Sequence, residues 1–135
     1  MTPGQLLAAR FAALADGDFA VVYATYHQDS PFIKQFAGRS NYIRFAEQNL
    51  SEISVLHWQV LCCRELDSQR QEHLLVMELE VDGCRQYLYE LALLIENDDG
   101  WRYHSAQKLA AEDYSGPPEQ IQFAHFDQVE QKIRY

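Results

Sequence analysis

The side chains in this sequence that are best suited to take part in a reaction are three close neighbours, Tyr26, His27 and Asp29. A histidine beside a carboxylate can act as a general base, and a tyrosine hydroxyl can donate a hydrogen bond to a reacting oxygen. The same residues also suit a structural role, because a histidine at the end of a helix interacts favourably with the helix dipole and Asp29 can cap the turn that follows. The residues alone leave both interpretations open.

Aromatic residues recur along the chain and predict the wall of a ligand pocket. Pockets for small molecules are mostly apolar and carry a few placed polar groups, which suits tyrosine and tryptophan side chains. The alternative is that these rings belong to the core, with each tyrosine hydroxyl reaching water or a backbone carbonyl. The ligand-binding residues predicted in this way are Tyr23, Tyr26, His27, Trp58, Tyr87, Tyr89, Trp101 and Tyr103.

The elements that must position these residues begin with helices. Leu7, Phe11 and Leu14 are spaced for one face of a helix, Gly17 is placed for a left-handed C-cap, and Asp18 can cap a second helix. A short turn after Pro31 and a further helix from Ser40 complete the helical part. The apolar stripes of the second and the last of these helices are Phe19, Val22, Tyr23 and Tyr26, and Tyr42, Phe45, Ala46 and Leu50.

From Val55 the hydrophobic period changes to two, which predicts antiparallel strands joined by short turns. Asp82-Gly83 indicates a two-residue hairpin, and the sequence 97–100 indicates another turn. Alternation places Tyr87, Tyr89, Leu91, Leu93 and Ile95 on one face of a strand, and Trp101, Tyr103, Ser105 and Gln107 on one face of the next. Helices followed by strands predict an α+β fold, with N-terminal helices packed on a strongly curved, cone-shaped antiparallel sheet.

The C-terminal part has a different composition, so we predict a domain over residues 1–112 and a tail over 113–135. Gly116-Pro117-Pro118 excludes regular structure, and Pro118 can start a last helix. Its aromatic side chains predict that the tail docks, either on its own domain or on a partner chain. The apolar residues of this predicted helix are Ile121, Phe123, Phe126, Val129 and Ile133.

The net charge and the N-terminal sequence restrict the classes of partner and the cellular location that we expect. The 135 residues carry a formal net charge of -9, which argues against nucleic acid and anionic membranes as partners because both attract basic patches. No signal-peptide pattern is present at the N-terminus, so we expect a cytoplasmic protein.

Metal and redox chemistry have little support in the sequence. The five histidines lack metal-binding spacing, and no nucleotide-binding motif occurs, so we predict no metal and no cofactor. Cys62, Cys63 and Cys84 are odd in number and lack a Cys-x-x-Cys pattern, so we expect reduced, structural thiols.

The stretch 10–27 resembles the opening of the YchJ-type domain, the SEC-C-motif-associated branch of the nuclear-transport-factor-2-like, or steroid-isomerase-like, superfamily. A strand bearing Trp58 and the sequence Gly100-Trp101-Arg102-Tyr103 fit the same pattern, so the resemblance spans residues 5–110. It implies a cone-shaped α+β fold. The Cys-rich, metal-binding ends of that family are absent here, and the resemblance brings no catalytic residues. The positions that match its opening are Arg10, Phe11, Ala13, Gly17, Asp18, Thr25, Tyr26 and His27.

Enzymes of that superfamily rely on a buried carboxylate or histidine beside a tyrosine inside the cone. The resemblance therefore draws attention to Glu65, Glu90 and His104. Strand alternation, however, puts Glu90 and His104 on the face opposite the aromatic residues, and a register change of one would be needed to bring them into a pocket. This favours binding over catalysis.

Three hypotheses about function follow. The first is non-catalytic binding of a small apolar or aromatic ligand, or a peptide, with a homodimer formed through the outer sheet face; Leu74 and Val76 lie opposite Leu75 and Met77 and make both faces apolar. The second is a small-molecule isomerase, dehydratase or hydrolase that uses the histidine, aspartate and tyrosine described above. The third is a polypeptide-recognising adaptor in protein quality control or translocation, in which the tail contacts the partner.

Overall fold

The computed structural model describes residues 1–128. The helices are α1 (Pro3–Asp16), α2 (Phe19–Thr25), α3 (Arg39–Asn49) and, in the tail, α4 (Phe123–Asp127), and the strands are β1 (Ile53–Asp67), β2 (Arg70–Val81), β3 (Cys84–Asn97) and β4 (Gly100–Ala110). Single 3-10 turns span Ile33–Gln35, Ala111–Asp113 and Pro118–Gln120. The order of helices and strands confirms the predicted α+β fold.

The hinge between α1 and α2 follows the predicted capping. Gly17 adopts a left-handed conformation with φ 69°, and its N–H donates to the Ala13 and Leu14 carbonyls. The side chain of Asp18 accepts a hydrogen bond from the Val21 N–H at 3.3 Å. These caps end one helix and start the next within two residues, so α2 folds back beside α1.

The strands form one antiparallel sheet in the order β1-β2-β3-β4. Asp82 and Gly83 both have positive φ, at 52° and 80°, as the predicted hairpin requires. In the pairing of β3 with β4, Leu93 faces Ser105 and Leu94 faces Tyr103, so His104 is an extra residue in a bulge.

This bulge changes which side chains share a face. Tyr103 packs into the core under the helices, whereas the amide of Gln107 donates to the Phe126 carbonyl on the other side of the sheet at 3.0 Å. The prediction that Tyr103, Ser105 and Gln107 lie on one face is therefore wrong. Alternation holds on each side of the bulge but reverses across it.

Both faces of the sheet are covered within the described residues. On one face α1 packs over Leu75, Met77 and Leu79, and on the other the tail packs over the residues that alternate with them. The tail contributes Ile121 and Phe126 to this second core, and the sheet side of that core consists of Leu74, Val76, Tyr89, Leu91 and Leu109.

The described part of the tail is less helical than predicted. Pro118 starts a 3-10 turn, Ile121 has extended backbone, and the helix begins only at Phe123. Val129 and Ile133 lie outside the described residues.

Candidate functional site

A cavity of about 570 Å³ lies between the helices and the helix-facing side of the sheet. Its wall is mostly aliphatic and aromatic, and charged or hydroxyl-bearing groups come from α1, the segment after α2, α3, β3 and β4. The lining residues are Arg10, Phe11, Leu14, Tyr26, Phe32, Gln35, Tyr42, Phe45, Leu50, Ile53, Val55, Met77, Leu79, Leu88, Glu90, Tyr103 and Lys108.

Arg10 is the central charged residue of this cavity. It is 9% exposed, and its guanidinium donates to Thr25 Oγ1 at 3.1 Å and to Tyr26 Oη at 3.0 Å. The guanidinium carbon lies 3.9 Å from the Tyr103 ring centroid and 4.5 Å from that of Tyr26, which is cation–π geometry. Within residues 1–128 it forms no ion pair with a carboxylate.

The charge on Arg10 is maintained in spite of its burial. Burial acts to lower its pKa, but Tyr26, Tyr103 and Glu90 outweigh that effect and the pKa is raised. The cavity therefore contains a permanent positive charge whose side-chain hydrogen bonds, within residues 1–128, go to hydroxyl groups.

Two tyrosine hydroxyls at the same end, those of Tyr42 and Tyr103, make no hydrogen bond of good geometry among the described residues, although Tyr26 lies close to the first and Glu90 to the second. Both residues are at most 1% exposed. Burial, the largest cause in each case, raises the pKa of both phenols, so both keep their protons and remain donors. An unmade buried hydrogen bond costs about 1 to 3 kcal/mol, so these hydroxyls are costly to the folded state.

Glu90 also lines the cavity, although its position on the face opposite Tyr87 and Tyr89 predicted that it would lie outside a pocket. Its side chain is 7% exposed, and its Oε1 lies 4.0 Å from the Nζ of Lys108, its cross-strand neighbour on β4. Glu90 is also among the groups that raise the pKa of Tyr103. A carboxylate, a tyrosine hydroxyl and a guanidinium thus meet at one end of the cavity.

His27 and Asp29, the predicted base and its orienting carboxylate, lie at the end of α2 and are not among the residues that line the cavity. The His27 N–H donates to the Tyr103 carbonyl at 2.8 Å, and His27 Nδ1 accepts the Asp29 N–H at 3.0 Å. The Asp29 carboxylate is 61% exposed and lies 3.6 Å from Lys34 Nζ. The imidazole therefore contacts the backbone of Asp29, while the carboxylate points to a surface lysine.

The structure separates the predicted aromatic wall into four places, three of them on the helix side of the sheet. Tyr26 and Tyr103 line the cavity, and Tyr23 lies behind it against Tyr42, with ring centroids 5.7 Å apart. Trp58 stacks on Phe11 at 4.5 Å in the helix-side core, and Trp101 is also buried there.

The remaining two predicted wall residues lie on β3 with side chains on the opposite face of the sheet. Tyr87 is 42% exposed, and Tyr89 packs against Tyr114 of the tail with ring centroids 5.2 Å apart. Their placement with Tyr103 on one aromatic face is therefore wrong.

Two of the acid–base residues considered from sequence also lie away from the cavity. Glu65 is exposed on β1, and the ring of His104 lies 5.7 Å from the ring of His27. Sequence reasoning also missed Arg10 as a site residue. The sequence does contain a signal for it, because Arg10 lies on the apolar face of α1 with Leu7 and Leu14. A buried charge is costly unless it is paired, so a charged residue on such a face indicates a specific role.

Several further features can be stated for residues 1–128. They contain no group of three or more histidine, cysteine, aspartate and glutamate side chains that could hold a metal ion. In the same range no helix is long and apolar enough to cross a membrane. Cys62, Cys63 and Cys84 are free thiols in this range, and all three are exposed, so they take no part in the packed core.

Comparison with known proteins gives matches only among solved structures. No family model and no curated protein matches the sequence. A ketosteroid isomerase-like protein from Erwinia carotovora atroseptica SCRI1043 has a TM-score of 0.61 at 14% identity, over 79% of this chain and 92% of that one. A candidate dehydratase from the NTF2-like family of Streptomyces avermitilis has a TM-score of 0.54 at 13% identity, over 78% and 90%.

A third structure extends the match to nearly the whole chain. It is a domain of unknown function with a cystatin-like fold from Nostoc punctiforme PCC 73102, with a TM-score of 0.57 at 13% identity, over 96% of this chain and 90% of that one. At such identities these matches show the fold, which is the cone-shaped NTF2-like fold predicted from the sequence.

Proposed function

We propose that the domain binds a small, largely apolar ligand in the cavity between the helices and the sheet, without converting it. The observation that carries this proposal is the cavity itself, because its volume of about 570 Å³ falls in the range of small-molecule sites. A packed core would fill such a space with side chains, since protein interiors contain few voids larger than a water molecule.

The composition of the wall supports this class of ligand. Leu14, Phe45, Met77, Leu79 and Leu88 offer apolar contact from both the helices and the sheet. Burial of apolar ligand surface against them contributes about 25 cal/mol per Å². The polar groups lie together at one end, which suits a ligand with one polar end and an apolar body.

Catalysis is the second candidate, and the position of Glu90 favours it. A buried carboxylate beside a tyrosine hydroxyl can move a proton at a carbon next to a carbonyl, and the solved structures with this fold include an isomerase-like protein and a candidate dehydratase. In this version Glu90 replaces His27 and Asp29 as the acid–base group. Deuterium exchange into a bound ketone that is lost in Glu90→Gln would establish it.

Three finer proposals stand beside the binding of a small ligand: the family branch, the binding of a peptide and the formation of a dimer. Membership of the YchJ-type branch rests on the sequence resemblance, and a peptide is an alternative occupant of the pocket. Dimerisation through the sheet had its support in the apolar residues Leu74 and Val76, which the tail of the same chain covers. Sedimentation of the full chain would decide the oligomeric state.

The two methionines of the chain allow a direct test of binding. Met77 lines the cavity, whereas Met1 is 66% exposed at the N-terminus. In protein labelled with ¹³C at the methionine methyl groups, titration with 2-ethylnaphthalene should shift the Met77 signal and leave the Met1 signal in place. The probe is neutral, so this experiment reports on the apolar cavity alone.

A matched pair of variants on β3 provides the control. Leu88→Trp adds volume at a residue that lines the cavity and should abolish the Met77 shift. Tyr87→Trp, at the neighbouring position, is exposed on the other face and should leave the shift unchanged. A Met77 signal that does not respond in the wild type, or that responds equally in Leu88→Trp, would contradict the proposal.

A further inference from the structure

The polar end of the cavity is composed mainly of hydrogen-bond donors. Arg10 contributes a guanidinium, and Tyr42 and Tyr103 contribute hydroxyls that make no hydrogen bond of good geometry among residues 1–128. The rings of both tyrosines lie next to Tyr26, with centroids 5.9 Å and 5.5 Å from it, and Tyr26 accepts a hydrogen bond from Arg10. The donors therefore surround one small region.

The charges at this end do not balance. Within the described chain Arg10 makes no ion pair, although it is buried; the Glu90 carboxylate helps to raise its pKa and lies 4.0 Å from the Nζ of Lys108. Two positive groups thus share the cavity with one negative group. Because a buried charge is stabilised by pairing and hydrogen bonds, an anion that accepts hydrogen bonds would complete the balance at Arg10.

On these grounds we propose that the ligand is a small carboxylic acid, with its carboxylate held by Arg10, Tyr42 and Tyr103 and its apolar body in the cavity. This inference rests on the proposed function. A carboxylate has four lone-pair sites and can accept from the guanidinium and both hydroxyls at once, whereas a ketone oxygen has two. A ligand cation would meet the positive charges of Arg10 and Lys108.

Three naphthalene probes of similar size separate the possibilities: 2-naphthoate, the methyl ketone 2-acetylnaphthalene, and the hydrocarbon 2-ethylnaphthalene. Their affinities for the wild-type chain can be measured by titration calorimetry and by the Met77 methyl signal. We expect naphthoate to bind at least about 10-fold more tightly than the ketone, because hydrogen bonds to charged groups are stronger than neutral ones.

Phenylalanine variants test the two hydroxyls while keeping the rings. Tyr42→Phe and Tyr103→Phe should each weaken naphthoate binding by about 10-fold and leave 2-ethylnaphthalene binding unchanged. Tyr23→Phe is the matched control, because Tyr23 contacts the ring of Tyr42 without lining the cavity. It should leave the affinities for all three probes as in the wild type.

Each outcome decides between the two proposals. If the hydrocarbon binds in the cavity but naphthoate binds no more tightly than the ketone, the carboxylate assignment is wrong and the apolar binding site stands. Unchanged naphthoate affinity in both cavity tyrosine variants also overturns the assignment. If none of the three probes moves the Met77 signal, both the inference and the proposed function fail.

Discussion

The two faces of the sheet treat buried charge differently. On the tail side, Glu72 is 3% exposed, and its Oε1 accepts a hydrogen bond from Arg64 Nε at 2.9 Å. The guanidinium of Arg64 also lies 4.2 Å from the centroid of the Phe123 ring. On the helix side, Arg10 is buried without a carboxylate in contact within the described residues and faces a cavity. The tail side is thus built for stability, and the helix side keeps unused binding capacity at the expense of stability.

Among the changes that test this contrast, truncation of a side chain in the tail-side core should alter the free energy of unfolding most. Phe126 is fully buried, and Phe126→Ala removes a ring from a packed interface, so we expect a loss of about 3 to 5 kcal/mol in the free energy of unfolding. Urea denaturation measures this change. Tyr87→Ala, at an exposed position of the same face, should change it by less than about 0.5 kcal/mol. Equal losses in the two variants would mean that the tail does not pack on the sheet.

The ion pair between Arg64 and Glu72 on the tail side should contribute less to the free energy of unfolding than the apolar core on that side. Arg64→Met keeps a long apolar side chain over Phe123 but removes the hydrogen bond to Glu72, whose side chain is 4% exposed. Because Arg64 is 37% exposed and screened by solvent, we expect a loss of about 1 to 2 kcal/mol. Thermal and urea unfolding measure it, and Arg85→Met, which removes a pair between more exposed groups, is the control.

On the helix side, a substitution should raise stability and lower binding together. Tyr103→Phe removes a buried hydroxyl that makes no hydrogen bond of good geometry within residues 1–128, so we expect a gain of about 1 kcal/mol in the free energy of unfolding. The same variant should bind naphthoate less tightly. A loss of stability would show that this hydroxyl is satisfied in the folded protein and would end the contrast between the faces.

The fold could be predicted because its signals are local. The Gly17-Asp18 hinge, the Asp82-Gly83 turn and the change of period at Val55 each depend on a few neighbouring residues. Alternation also placed Tyr89 and Glu90 correctly on opposite faces of β3. The error was in which face meets the helices, because the tail makes both faces apolar and local alternation has no information about what covers them.

The remaining site errors have a similar cause. The bulge at His104 inserts one residue into β4, and the sequence around it has no glycine or proline to mark it. Lys108 enters the cavity only because this bulge reverses the faces beyond it. Tyr42 was predicted on the apolar face of its helix, but the position of its hydroxyl, which makes no hydrogen bond of good geometry within residues 1–128, depends on long-range packing that no local pattern describes.

The smallest expected effect concerns His73, on the helix-facing side of β2. Burial lowers its pKa below the ordinary value of 6.5. The unfolded chain therefore binds a proton at a higher pH than the folded chain, so the stabilisation by neutral His73 is present above pH 6.5 and is lost as the pH falls below that value. The unfolding free energy at pH 7.5 and pH 5 should differ less in His73→Gln than in the wild type. His57→Gln, at an exposed position, should behave as the wild type.

The donors around Arg10 come from distant parts of the sequence, and this separation bears on the order in which the molecule folds. Each hairpin of the sheet joins strands that are adjacent in sequence, and such contacts form early because little chain must be closed. Arg10 and Tyr103 are more than ninety residues apart, so their contact is among the most non-local in the fold. We therefore expect the polar end of the cavity, where Arg10 contacts Tyr103, to be completed late in folding. A bound acid would slow unfolding while leaving the rate of refolding unchanged.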